Sequence, residues 1–184
     1  MPNLLITCMG SPTSESVITA IQKNCSANLF ITDRDASMCP YVKGVRVIES
    51  APSGSDKAFI EYIVQASNKY ALDFVLAYAD EELLALATNE ETTSLCFVSP
   101  PEAIEQCLDK CCFTSILLDL GVPTPKFKSC GPVFCRPRFG RGSRASFPIK
   151  NDDLIRVMRK SDDFILTELV ENGSEFSVVL SIAT

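Results

Sequence analysis

The chain contains no histidine among its 184 residues. Histidine is the commonest general base in enzymes, and it completes the Ser-His-Asp and Cys-His catalytic arrangements. It is also a frequent zinc ligand. The missing histidine therefore excludes those nucleophilic mechanisms and His-ligated zinc from the chemistry that this chain can perform.

The nine cysteines never occur at CxxC spacing, the basic unit of thioredoxin and zinc-ribbon motifs. Their number is odd and several lie in apolar runs, so we expect reduced, buried thiols and a cytoplasmic location. The amino-terminal residues lack the pattern of a signal peptide, and no apolar run is long enough to span a bilayer. The cysteines are Cys8, Cys25, Cys39, Cys96, Cys107, Cys111, Cys112, Cys130 and Cys135.

Positive charge is also scarce, because 17 basic residues face 23 acidic ones and the net charge is −6. A general nucleic-acid or anionic-membrane surface needs basic patches, so neither partner is expected. Hydrophobic residues make up 46% of the chain and charged residues 22%, which is ordinary globular usage. The length fits one domain or two small ones.

The first hundred residues alternate short apolar runs with helical patterns. Continuous apolar strands separated by helices are typical of a parallel sheet covered on both faces, so we predict a doubly wound, Rossmann-like α/β domain over residues 1–100. The acidic run Asp80–Glu82 fits the first turn of a helix, where the helix dipole favours negative charge. Predicted strands cover residues 3–8, 28–32, 45–48, 74–78 and 95–98, and predicted helices cover 14–23, the stretch from 55 or 56, and 81–87.

Residues 101–184 have a different pattern, with a predicted helix that ends at Gly121 and several short strands. This pattern predicts a small α+β module of hairpins and one or two helices. The predicted strands cover residues 126–128, 133–136, 145–149, 164–168 and 175–182, and the predicted helices cover 109–121 and 152–160.

The segment 134–144, FCRPRFGRGSR, concentrates four arginines around two glycines. Glycines let backbone amides approach an anion, and the forked guanidinium group matches phosphate oxygens. The segment predicts an anion-binding loop, although a solvated hairpin with surface arginines is an equally good interpretation of the pattern alone. A Walker GKS or GKT sequence is absent, and GxGxxG does not follow the first strand.

The order of these segments resembles the ATP-grasp superfamily, especially its members similar to the large subunit of carbamoyl-phosphate synthase. LFITDRD…CPYVKGVRVIE and ADEELLALA resemble the pre-ATP-grasp domain, and VSPPEAIEQCLDKCCFTSILLDLGVPTPKF resembles the linker with its DK helix. VFCRPRFGRGSR resembles the phosphate-binding lid, and ILTELVENGSEFSV resembles the adenine hinge and ribose segment. The resemblance implies ATP binding and activation of a small carboxylate as an acyl phosphate, which an amine or similar nucleophile then attacks.

The resemblance also implies roles for individual residues, each of which has a plain surface residue as its alternative. Lys110 and Arg136 match basic residues that contact nucleotide phosphates. Glu168 matches an acid near the adenine amino group, and Glu175 matches the acid that binds ribose hydroxyls. The remaining matches are the loop Phe139, Gly140, Arg141, Gly142 and Ser143, and the purine-edge backbone of Leu169 and Val170.

The family's Mg²⁺ ligands follow the ribose acid, and no residue of this sequence matches them. The expectation is therefore the ATP-binding portion of a ligase, with the carboxyl-terminal part of the ATP-grasp fold outside this chain and its catalytic residues unassigned. Alternatives to this expectation remain. The chain is then a split product completed by a second chain, part of a homo-oligomer, or a non-catalytic nucleotide-binding or regulatory subunit. A dinucleotide-dependent enzyme is a weaker alternative, because the glycine fingerprint is missing.

Overall fold

The computed structural model describes residues 1–140 and 142–171. Contacts between Cα atoms divide the chain into two compact units, Met1–Glu105 and Gln106–Thr184. Within the described residues, no helix is both long enough and apolar enough to cross a membrane. The nine cysteines are free thiols, but only Cys135 is fully buried. The expectation of generally buried thiols is therefore wrong, because most of the others lie in loops or on partly exposed helix faces.

The first unit alternates strands and helices as the sequence predicts. Its four strands form one parallel sheet in the order β3-β2-β1-β4, with Leu5 of β1 opposite Phe30 of β2 and Val75 of β4. The elements are β1 (Asn3–Ile6), α1 (Ser14–Asn24), β2 (Asn28–Ile31), a 3-10 helix (Ala36–Met38), β3 (Val45–Val47), α2 (Ala58–Tyr70), β4 (Phe74–Leu76), α3 (Asp80–Ala87), α4 (Glu90–Thr93) and α5 (Pro101–Leu108), the last of which continues past the unit boundary.

Successive residues of β1 are buried on opposite faces of this sheet. Leu5 packs in a cluster with Phe59 and Ile63 of α2, whereas Ile6 packs in a second cluster with Ile18 of α1. Both strand residues are fully buried. The doubly covered α/β sheet predicted from the continuous apolar runs is therefore confirmed.

The predicted fifth strand at residues 95–98 is wrong, since only one bridge, between Val75 and Cys96, joins this segment to the sheet. The backbone N–H groups of Leu95 and Cys96 donate to Thr92 and Thr93 in the turn that ends α4, so they cannot extend a ladder. The next residue, Phe97, is 87% exposed.

A buried carboxyl group lies where β1 and β4 end. Glu82, in the first turn of α3, accepts hydrogen bonds from Thr7 Oγ1 at 2.5 Å and from the backbone N–H of Ala79 at 3.2 Å. Burial raises the pKa of this carboxyl group. The acidic run at residues 80–82 is the start of a helix, as predicted, and Glu82 ties that start to the sheet.

The second unit contains a three-stranded antiparallel sheet in the order β6-β5-β7. Its described elements are α6 (Lys110–Asp119), β5 (Val133–Pro137), β6 (Phe147–Ile149), α7 (Asp152–Met158) and β7 (Phe164–Glu168). Val133 and Cys135 of β5 are fully buried and pack with Ile155 of α7 in the core of this unit.

Residues 126–128 form only an isolated bridge, between Phe127 and Thr167, instead of the predicted strand. Two hydrogen bonds flank the bridge, from Lys128 N–H to Leu166 O and from Glu168 N–H to Lys126 O, and Pro125 has no N–H to extend the ladder. The strand predicted at residues 175–182 lies outside the described residues.

Candidate nucleotide site

The face of β5 opposite the core carries the candidate site. Strand side chains alternate between faces, so Phe134 and Arg136 point away from the core that holds Val133 and Cys135. Phe134 and Arg136 line two clefts of the second unit, and these clefts therefore adjoin each other along β5.

The first of these, the apolar cleft, has a volume of about 430 Å³. Phe113 and Leu117, one helical turn apart on α6, face the strand residues Phe134 and Thr167 across it. Aromatic and aliphatic walls with a few polar groups are typical of small-molecule sites. The full lining is Phe113, Thr114, Leu117, Thr124, Pro125, Phe134, Arg136, Thr167, Glu168, Leu169 and Val170.

The second, the basic cleft, has a volume of about 400 Å³. Its charged side chains are Lys110, Arg136 and Arg144, and no acidic residue lines it in the described part of the chain. Gly140 and Gly142 have φ angles of +114° and +66°, so the loop adopts a backbone conformation that favours glycine. The lining is completed by Phe134, Pro137, Ser143 and Ser146.

Arg136 borders both clefts and lacks a partner for one buried nitrogen. Its Nε atom is buried and has no hydrogen-bond partner among the described residues. Burial lowers the pKa of its guanidinium group, because a charge is costly to remove from water. A buried donor without an acceptor costs stability.

Lys110 is held next to the glycine-containing loop. Its Nζ atom donates a hydrogen bond of 2.5 Å to the carbonyl oxygen of Gly140. The residue before it, Asp109, is the N-cap of α6 and accepts hydrogen bonds from Arg138 Nε at 2.8 Å and Nη2 at 2.6 Å. The start of α6 and the end of β5 therefore meet beside the basic cleft.

The structure brings most of the sequence-predicted site residues to these clefts. Lys110, Arg136, Gly140, Gly142 and Ser143 line the basic cleft, and Glu168, Leu169 and Val170 share the apolar cleft with Arg136. The carboxylate of Glu168 also accepts a hydrogen bond from the backbone N–H of Lys126 at 3.1 Å.

One described residue of the predicted site lies outside both clefts. Phe139 is 58% exposed, and its ring lies 5.5 Å from the Arg138 guanidinium carbon rather than along either cleft. Arg141 and Glu175 lie outside the described residues.

Several cleft residues were not found from the sequence. Phe113 and Leu117 carry a signal, because their spacing puts two apolar side chains on one face of a helix, but the same spacing is typical of an ordinary core helix. The threonines at 114, 124 and 167 carry no signal of their own. Among residues 1–140 and 142–171, no three Cys, Asp or Glu side chains are grouped closely enough to hold a metal ion.

The hydrogen bonds to Asp109 predict a pH dependence of stability. The Arg138 guanidinium lowers the pKa of Asp109 from an ordinary 3.8 to about 2. An acid with a lowered folded-state pKa stabilises the fold above its unfolded pKa and loses that contribution as the pH falls through the folded value. We expect wild type to exceed Asp109→Asn in free energy of unfolding by about 1 kcal/mol above pH 4, and the difference to vanish only below pH 2.

Urea unfolding followed by far-UV circular dichroism at several pH values measures this difference. Asp153→Asn is the matched control, because Asp153 accepts a hydrogen bond from Arg156 on an exposed helix surface. Such an exposed pair is expected to contribute only a few tenths of a kcal/mol. A stability difference for Asp109→Asn that is independent of pH would contradict the assignment.

The sequence and the structure of this chain were compared with those of known proteins. No protein-family model matches the sequence, and no curated protein is significantly similar to it. Solved structures do match. The L-amino acid ligase of Bacillus licheniformis is similar with a TM-score of 0.66 at 18% identity, over 93% of this chain and 45% of that one.

Two other solved structures give the same result. N5-carboxyaminoimidazole ribonucleotide synthetase of Thermotoga maritima has a TM-score of 0.61 at 18% identity, over 93% of this chain and 47% of that one. The biotin carboxylase domain of Hydrogenobacter thermophilus 2-oxoglutarate carboxylase, solved with MgADP and bicarbonate, has a TM-score of 0.63 at 14% identity, over 92% of this chain and 44% of that one.

These enzymes are ATP-grasp proteins, and the predicted resemblance to that superfamily is confirmed at the level of the fold. The chain spans about half the length of these three structures.

Proposed function

We propose that the second unit binds ATP, with the base in the apolar cleft and the phosphates in the basic cleft. The single observation that carries the proposal is the arrangement of the two clefts, which adjoin at Phe134 and Arg136 and differ in chemistry. A nucleoside triphosphate has the same division, with a flat ring at one end and dense negative charge at the other.

The apolar cleft suits a purine base. Phe113 and Phe134 offer aromatic faces from a helix and a strand, and Leu117 adds an aliphatic wall. Aromatic rings contribute both buried area and stacking. Leu169 and Val170 follow the end of β7 and line the same cleft, and we propose that their backbone groups bind the purine edge beside Glu168.

The basic cleft suits the phosphates. Lys110 and Arg136 bring positive charge from α6 and β5, and Arg144 adds a third cation from the loop. Charge-assisted hydrogen bonds to phosphate are among the stronger ones in proteins, and arginine can make two at once. We propose that the glycine-containing loop closes on the phosphates, with Gly140, Arg141, Gly142 and Ser143 nearest to them and Phe139 beside them, and that Glu175 binds the ribose.

The chain would then be the ATP-binding portion of a ligase similar to carbamoyl-phosphate synthase. In this proposal residues 1–100 form the pre-ATP-grasp domain and residues 101–184 the first part of the ATP-grasp domain. Bound ATP would phosphorylate a small carboxylate, and an amine or similar nucleophile would displace the phosphate from the acyl phosphate. The protein contributes mainly orientation and neutralisation of phosphoryl charge, which needs no histidine.

Mg²⁺ is expected to accompany the nucleotide, because a related fold was solved with MgADP. The described residues offer no group of acidic side chains that fits the ion, so we assign no ligand to it and derive no step through it.

The test is isothermal titration of the purified chain with ATP, ADP, AMP, adenosine and tripolyphosphate. We expect affinity to fall from ATP to adenosine by about 100-fold or more, because adenosine lacks every phosphate contact. Tripolyphosphate is expected to bind more weakly than ATP, because it leaves the apolar cleft empty. Equal affinity for ATP and tripolyphosphate, or no binding of ATP, would rule out the proposed site.

A further inference from the structure

Arg138 lies in the phosphate-binding segment, yet its side chain turns away from both clefts. Two nitrogens of its guanidinium group bind the two carboxylate oxygens of Asp109, at 2.8 and 2.6 Å. Asp109 also accepts hydrogen bonds from the backbone N–H groups of Cys111 and Cys112, at 2.9 and 3.3 Å. The Asp109 side chain, which is 14% exposed, therefore joins the first turn of α6 to the end of β5.

The backbone of Arg138 strengthens the same junction. Its carbonyl oxygen accepts a hydrogen bond of 3.1 Å from the N–H of Lys110, and its own N–H donates to Asp163 at 2.8 Å. Lys110 is thus fixed at its backbone by Arg138, while its Nζ atom donates to Gly140, two residues beyond Arg138. Both the backbone N–H and the Nζ atom of Lys110 therefore donate hydrogen bonds to the segment at residues 138–140.

We propose that the Arg138–Asp109 pair is a positioning device that holds Lys110 against the glycine-containing loop and so shapes the phosphate cleft before a ligand enters. The inference rests on the proposed function, since it assumes that the basic cleft receives phosphates. Arg138 is a positioning residue here and does not touch the ligand itself.

The physical advantage of such a pair is preorganisation. A lysine has a flexible four-carbon stem, and fixing it when a ligand binds lowers the affinity gained from its charge. The planar guanidinium group bound by two parallel hydrogen bonds has little freedom, so it fixes the start of α6 in one geometry. Both partners are charged at neutral pH, and Arg138 lowers the pKa of Asp109 to about 2.

A double-mutant cycle tests whether Arg138 acts through Lys110. ATP and adenosine affinities are measured for wild type, Arg138→Gln, Lys110→Met and the double variant. We expect each single variant to bind ATP about tenfold more weakly and adenosine unchanged, and the double variant to be little weaker than either single one. A merely structural role would weaken adenosine binding as well, and independent phosphate contacts would give additive losses.

Two further variants complete the design. Asp109→Asn keeps an N-cap acceptor but removes the charge that holds Arg138, so we expect the same selective loss of ATP affinity. Arg156→Gln is the matched control, because Arg156 pairs with Asp153 on α7 and lines neither cleft. It is expected to bind ATP as wild type does.

The outcomes separate the inference from the function on which it rests. If wild type binds ATP and both Arg138→Gln and Asp109→Asn bind it equally well, the positioning role is wrong and the nucleotide site stands. If ATP affinity falls but the cycle is additive, Arg138 does not act through Lys110 and the inference is also wrong. If wild type does not bind ATP, the proposed function fails and the inference fails with it.

Discussion

Replacing Arg136 with methionine is expected to weaken ATP binding by about 10- to 100-fold while leaving adenosine binding unchanged. Arg136 is the cation that borders both clefts, so it would contact the phosphate chain close to the nucleoside. Methionine has a similar length and refills the buried volume without the charge. Isothermal titration with both ligands measures the two affinities.

The same substitution is expected to raise stability in the absence of ligand. The buried Nε atom of Arg136 has no acceptor in the described part of the chain, and replacing an unsatisfied buried donor with an apolar group is favourable by about 1 kcal/mol. A lower affinity combined with a more stable free protein would mark Arg136 as a binding residue. Equal loss of ATP and adenosine affinity, or an unstable variant, would contradict this role, and Arg156→Met is the control.

Replacing Gly54 with alanine is expected to lower the free energy of unfolding of the first unit by about 1–3 kcal/mol. A Cβ atom at this position would lie 2.6 Å from the backbone nitrogen of Glu82 and 2.8 Å from its Cα atom. Both neighbours are main-chain atoms at the start of α3, and Glu82 is also fixed by its hydrogen bonds to Thr7 and Ala79. The helix start must therefore move or the added methyl group is strained.

Tyrosine fluorescence during urea unfolding reports this change selectively, because the chain has no tryptophan and its four tyrosines all lie in the first unit. Gly44→Ala is the matched control in the same unit. Gly44 has a φ angle of +82°, but the nearest atom to an added Cβ is a side-chain nitrogen at 3.8 Å. We expect Gly44→Ala to lower the free energy of unfolding by about 1 kcal/mol, because alanine is disfavoured at a positive φ angle. A Gly54→Ala variant as stable as wild type would contradict the tight packing of Gly54 against the start of α3.

The parts of the fold that the sequence predicts well are those set by local pattern. The runs around Leu5, Leu29 and Val75 are continuously apolar, and only a sheet covered on both faces buries both sides of such strands. The segment at residues 95–98 has the same composition but fails as a strand, because the turn after α4 uses its N–H groups. That competition between hydrogen-bond partners is invisible in a hydrophobicity pattern.

The candidate site is also predicted from the sequence only in its locally patterned part. The arginines and glycines of residues 134–144 form a local pattern, and the sequence indicates an anion site from them alone. The apolar cleft is assembled from α6, β5 and β7, so Phe113 and Phe134 meet only through tertiary packing. The pairing of Asp109 with Arg138 is equally non-local, since 29 residues separate them. Predicting such a pair requires the relative placement of α6 and β5.

The crystal structure of this chain with a non-hydrolysable ATP analogue tests the central claim most directly. We predict density for the base between Phe113 and Phe134, and phosphate oxygens within hydrogen-bonding distance of Arg136 and Lys110. Density for the nucleotide at the carboxyl ends of the parallel strands in the first unit, with both clefts of the second unit empty, would contradict the account.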